Sequence, residues 1–385
     1  MGEGSRFDLA VPDITIGPPT IRFGRIADVD AGNDGAVFVL DSANRVVSVF
    51  DSEGHVIRSL GESNGRKPEF GRLLGQVLVG NNDEVYVPDP MALRVLVFRG
   101  SKQQVLEEIA LPEHTTFLNW ALGLPGDLFV CAVDLPVLDW LRRPELPRGH
   151  ACSIPRTSQD LNDMMADRPA AIIYRLQHGG LEQVLPLSPG QSVSKAPITI
   201  EVFSPASRMW AATGDGTLWV ADARRRELLQ YSGQGALLTR HAIPLDPEAI
   251  RPEDREPLAQ QYARSVLPRL FGTTRPPPPI ESLIRFTVGD LAPPFRGFLL
   301  DSQGRAWLGT PSTVGDVLHP KVGSSGFDLF NRATSRWTVL DKGEIVASVE
   351  FPHGFRLTRV SGAHAYGYRT LGDEGGVVER YKTAL

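Results

Sequence analysis

Apolar and polar residues alternate along this chain in short runs broken by turns, not in long amphipathic stretches. A two-residue period is that of a half-buried strand. One such run recurs six times, each with an aromatic near its centre and usually after a turn containing Gly, Asn or Asp. The copies are DGAVFVLD (34–41), NDEVYVPD (82–89), GDLFVCA (126–132), DGTLWVAD (215–222), QGRAWLGT (303–310) and GAHAYGYR (362–369). Their aromatics, Phe38, Tyr86, Phe129, Trp219, Trp307 and Tyr366, are separated by 48, 43, 90, 88 and 59 residues. Propeller blades repeat at roughly 40–50 residues, so the two double-length steps require insertions. A Phe stands 11 to 16 residues before each aromatic (Phe23, Phe70, Phe117, Phe203, Phe295, Phe355) and opens a candidate innermost strand. Downstream runs such as RVVSVFDSEGHVIRSLG (45–61) and ELLQYSGQGALL (227–238) read as hairpins. Each repeat is thus a four-stranded meander. Leu111-Pro112, Leu185-Pro186, Ile243-Pro244 and Phe351-Pro352 mark the ends of outermost strands, because proline is tolerated at a sheet edge. The pattern predicts an all-β fold: a six-bladed β-propeller of four-stranded antiparallel blades in a single domain, 1–385.

Two segments break the β pattern. Residues 134–170, within blade three, are rich in Pro and Arg, and residues 246–292, between blades four and five, hold the best helical periodicity. There, 252–267 opens with Asp254 and Glu256 and places Leu258, Tyr262, Val266 and Leu267 at helical spacing, and the prolines at 276–279 then force an extended spacer. Both are read as caps over the disc, the second mainly helical and partly covering the channel mouth. The sixth repeat has room for three strands only, so the segment Leu9 to Gly17 (LAVPDITIG) is expected to supply the fourth by pairing with 377–382.

Composition narrows the function. The 385 residues carry 40 Lys and Arg against 45 Asp and Glu, a net charge of −5, which disfavours a nucleic-acid partner. No stretch has the length and apolarity of a transmembrane helix. Gly (38) and Pro (31) suit many short elements. Cys131 and Cys152 are the two cysteines; one bridge is conceivable, and a cysteine-rich metal knuckle is not. Six of the 40 basic residues are Lys and the rest Arg, which favours planar anion-gripping groups.

The first repeat, FGRIADVDAGNDGAVFVLDSANRVVSVFDSEGHVIRSLG (23–61), with its V-x-D-x-x-N-x-R-V-x-V-F-D-x-x-G run, and EVYVPDPMALRVLVF (84–98) resemble the NHL-type six-bladed β-propellers. FPHGFRLTRV (351–360) with VVERYK (377–382) resembles the last blade of a bacterial, largely uncharacterised group of them. The resemblance covers most of the chain. It implies the propeller fold, and a periplasmic or secreted location with the signal removed; a native N-terminus would instead imply the cytoplasm. For function it leaves ligand-binding modules, scaffolds, RNA-binding domains, lyases and lactonases open.

Two constellations carry candidate chemistry. Arg25, Arg72, Arg208, Arg296 and Arg356 stand near the start of five innermost strands and, converging at one mouth of the channel, would form an anion-binding ring; alternatively each pairs with a neighbouring acid. His114, His353, Asp28, Asp30, Asn119 and Asp301 lie on innermost strands or the loops before them and could hold a divalent metal such as calcium or zinc; alternatively the acids are turn residues. The aromatics are read as packing between blades. The leading reading is a non-enzymatic, cofactor-free monomer that binds a protein, peptide or small anionic ligand on the insertion-bearing face. The alternative is a metal-dependent hydrolase or lyase of the lactonase or esterase kind, with its site in the channel.

Overall fold

The computed structural model describes residues 5–61, 70, 75–80, 84–89, 92–99, 105–111, 116–122, 128–133, 167–168, 172–177, 180–186, 191–192, 198–203, 208–271, 284–320, 333–371, 375–383 and 385. Six antiparallel sheets form the six blades of a β-propeller. Blade one is the meander Ile26–Ala31, Val37–Asp41, Val46–Phe50 and Val56–Leu60. Blade two comprises Leu78–Val79, Glu84–Asp89, Arg94–Arg99 and Val105–Ala110. Blade three comprises Thr116–Leu122, Leu128–Val133, Ile172–Gln177 and Gly180–Pro186. Blade four comprises Arg208–Ala212, Leu218–Asp222, Glu227–Tyr231 and Leu237–Ala242. Blade five runs Gly297–Leu300, Ala306–Pro311, Ala333–Asp341 and Glu344–Glu350, with Ser5–Asp8 added as a parallel fifth strand at its outer edge. Blade six has Arg356–Ser361, His364–Thr370 and Gly376–Lys382, and Ile14–Ile16 pairs antiparallel with the last of these. The innermost strands neighbour one another right round the ring, blade six against blade one.

A twisted four-stranded sheet buries its two faces only against the next blades, so the core is divided into six radial seams. Each seam receives one second-strand aromatic. Phe38 packs between blades one and two, Tyr86 between two and three, and Phe129 between three and four. Trp219, Trp307 and Tyr366 fill the remaining seams in order. An aromatic buried in this way contributes about 2–3 kcal/mol. Phe23, Phe70, Phe295 and Phe355 join the seam preceding their own blade. Phe203 does not: it lies in a separate cluster on the upper face of the disc.

That face follows from the meander. Connections between blades and turns between second and third strands share it; the other turns share the opposite face. The segment between blades four and five therefore lies above the disc. Its helix α1 (Pro252–Phe271) starts with Pro in the first turn and acids Glu253 and Asp254 beside the amide-rich end, as helix starts favour. Leu258 and Ala259 bury against Val202, Phe203 and Val288. Below it, Ile198–Val202 and Ile284–Val288 pair in parallel. Helix α2 (Val314–Leu318), capped by Thr313 and Asp316, adds Val314 and Val317 to the same cluster. The helix is longer than the periodicity indicates, and the insertion also contains the strand Ile284–Val288. The segment 134–170 lies, apart from Asp167–Arg168, outside the described residues, as do Cys152 and the prolines 276–279.

The N-terminal segment clamps two blades. Leu9 donates its backbone N–H to the Glu350 carbonyl of blade five, and Asp13 donates its own to the Arg380 carbonyl of blade six. The Asp13 carboxylate accepts from the Arg380 guanidinium at 2.8 and 3.0 Å, and Ile16 is buried. Deleting residues 1–17 is expected to lower stability by about 3 kcal/mol or more, since it strips the edge strands of blades five and six, with the buried Ile16, and opens both sheet edges. Urea denaturation of the truncated chain checks this through a lower transition midpoint.

Candidate functional site

In blades one, two and four the second strand ends on the upper face in a buried aspartate. Asp41 accepts from the backbone N–H groups of Gly24, Arg25, Ala43 and Asn44 and from the Asn44 side chain, tying the start of the innermost strand to the turn after the second. Asp89 and Asp222 occupy the same position in blades two and four. Four residues beyond each lies a residue with positive φ: Arg45, Leu93 and Arg226. The recurring Asp at the end of the alternating run was the sequence signal for this device.

On this scaffold the candidate arginines diverge. Arg25 is exposed, its backbone held by Asp41. Arg208 donates through Nε to Asp222 at 2.8 Å, so its charge is matched within its own blade. Arg356 lies over the Tyr368 ring, 5.6 Å from the centroid. Arg72 falls outside the described residues. Arg296 lies over Phe203, 5.9 Å from the ring centroid, and no carboxylate among the described residues pairs with it. Its Nε is buried without a hydrogen-bond partner. Burial lowers its pKa to about 10, the Tyr262 phenol of α1 opposing that shift; it remains a cation at neutral pH.

The channel acids have a different task. Innermost strands of adjacent blades diverge too far for a backbone ladder, and side chains bridge the gap. Asp28 accepts the Val77 N–H at 3.1 Å and Asp30 the Val79 N–H at 2.8 Å, joining blade one to blade two. Gln76 receives the Trp120 N–H at 2.8 Å, and Thr358 donates to the Val29 carbonyl at 2.7 Å, spanning two further seams. Burial, and then the neighbouring Asp30, push the Asp28 carboxyl well above the ordinary range. Asp30 is also raised, by burial, with Arg359 opposing. Asp301 is committed to the backbone of Gln303 and Arg305, the Arg305 guanidinium and the Trp307 indole. His353 is exposed. His114 and the Asn119 side chain are outside the described residues. Among the described residues Asp28, Asp30, Asp301 and His353 do not converge on a metal. The one acidic group close enough, Asp51, Glu53 and His55, is an exposed hairpin turn in which Asp51 accepts the Glu53 and His55 N–H groups.

The lower face has a polar cleft of about 610 Å³ between blades one and six, with Asp34, Ser52, Ser302, Ser361, His364 and Arg380 among its lining residues. Sequence reading did not single it out, because its residues come from turns of three blades.

Fold and site together define a six-bladed β-propeller with a capped upper face. No family model matches the chain, and the comparison with curated proteins finds no match. Among solved structures, the chain is similar to a member of the DUF4221 family from Bacteroides vulgatus (9% identity, covering 97% of each chain, TM-score 0.53). It is also similar to regucalcin, a calcium-binding protein from Agrobacterium tumefaciens (10%, 99% of this chain and 98% of that one, TM-score 0.43), and to virginiamycin B lyase from Staphylococcus aureus (11%, 95% and 88%, TM-score 0.41). At these identities the likeness is one of fold. Among the described residues no helix is long and apolar enough to cross a membrane.

The Asp28 geometry has a pH signature. Its native pKa lies above the ordinary 3.8, so between these two values the folded state binds more protons than the unfolded one. Its contribution therefore grows as pH falls from neutral into that window. Asp28→Asn retains an acceptor for the Val77 N–H and removes the buried charge, so the variant should be more stable than wild type at pH 7.5. Denaturant melts at pH 7.5 and pH 5 check this: the advantage should shrink at the lower pH.

Proposed function

We propose that the protein is an NHL-like propeller that binds a protein, peptide or small anionic ligand on its upper, insertion-bearing face, without catalysis. The state of Arg296 supports this reading. A half-buried guanidinium stripped of water and lacking a carboxylate is costly, and a bound anion offsets that cost with charge-assisted hydrogen bonds. In blade four the same cost is met internally by Asp222, whereas no described carboxylate meets it at Arg296. The channel acids fit the reading too, since their oxygens hold neighbouring blades together.

A thermal-shift screen of anionic metabolites and acidic peptides tests the proposal. A ligand at about a hundred times its Kd stabilises by about 2.7 kcal/mol, which for a chain of this size raises the midpoint by about 3 °C. Wild type and Arg25→Ala should both show that rise, and Arg296→Ala should lose it. A screen in which no anion raises the wild-type midpoint, or in which Arg296→Ala responds like wild type, overturns the reading.

A further inference from the structure

Phe203 is the one described member of its series that leaves the inter-blade seams. Its backbone adopts φ +52°, a left-handed conformation costly for a bulky side chain, and its ring packs among cap residues. The Arg296 guanidinium lies over that ring. On the cap side, Tyr262 and Phe286 meet edge to face, their ring centroids 5.2 Å apart, and both are half-buried. Tyr262 is near enough for the Arg296 charge to pull its phenol pKa down against the upward push of burial. Arg255, also on α1, is already paired with Asp290. The described surroundings of Arg296 therefore hold one uncompensated positive charge, flanked by aromatic rings and a phenol.

We infer that the group recognised at Arg296 is a single carboxylate carried on an apolar or aromatic body, not a phosphate; this rests on the anion-binding reading above. A carboxylate is planar, carries one negative charge and presents two acceptor oxygens that match the guanidinium fork. Phosphate brings a charge of about −1.5 to −2 at neutral pH, and one arginine leaves much of it uncompensated in a half-buried aromatic setting. The half-buried rings of Tyr262 and Phe286 favour an apolar body behind the carboxylate, where a sugar or polyol finds few partners.

Isothermal titration of the full chain at pH 7.5 with phenylacetate, acetate and inorganic phosphate tests the inference. Phenylacetate should bind more tightly than acetate and about tenfold or more tighter than phosphate. Arg296→Gln should lose about tenfold or more of the phenylacetate affinity. If Arg296→Gln does not fold, Arg296→Lys carries the test: it keeps the charge without the fork, and undiminished phenylacetate affinity in it overturns the inference. Phosphate binding more tightly than phenylacetate, with the same dependence on Arg296, overturns the carboxylate assignment and leaves the anion-binding reading standing. Phenylacetate affinity unchanged in Arg296→Gln overturns the inference by placing the site elsewhere. If none of the three probes nor any anion in the thermal-shift screen binds, both fall.

Discussion

The packing of one blade against the next is the constraint on which this molecule depends. A four-stranded sheet has two apolar faces and no layer of its own to cover them, so each blade is stable only as part of a closed ring. The second-strand aromatics meet this need by filling one seam each, Phe38 through Tyr366. Polar groups follow the same logic along the channel. Diverging inner strands leave N–H groups without a ladder partner, and Asp28, Asp30 and Gln76 reach across to satisfy them. Carboxylates in a propeller channel can thus serve the ring itself, and their presence there does not define a metal centre.

The architecture was legible because it is repetitive. Alternation with period two, a central aromatic and a turn residue before it recur at blade length, and each has a direct physical cause in a half-buried strand stacked radially. The partners of charged side chains were less legible. Arg208 and Arg296 occupy similar places in the repeat, yet Asp222 neutralises one while the other rests on an aromatic ring. That difference lies in the residue opposite each arginine: the second strand of blade four ends in Asp222 across from Arg208, whereas the corresponding run of blade five ends in Gly309 and Thr310, which carry no charge. The strand Ser5–Asp8 was equally hidden, since parallel pairing at the outer edge of blade five joins residues more than three hundred positions apart.

The two faces of the disc are built to different rules. Below, short turns closed by glycines and aspartates such as Gly35 and Asp34 leave little room for variation. Above run the connections between blades, and the long segments of the chain are inserted there. The cap over Phe203 is one such segment, anchored by its own cluster and by the Val314 N–H bond to Glu248. Chemistry at Arg296 can therefore change with the cap while the seams beneath remain as they are.

The clamp between the two ends of the ring also bears on synthesis. Ser5–Asp8 and Ile14–Ile16 leave the ribosome ahead of all six blades, and their partners Glu344–Glu350 and Gly376–Lys382 follow more than three hundred residues later. Blades one to four can assemble during translation, but the apolar edges of the open ring stay exposed until the final blade emerges. The nascent protein thus carries a period of vulnerability that the finished one lacks.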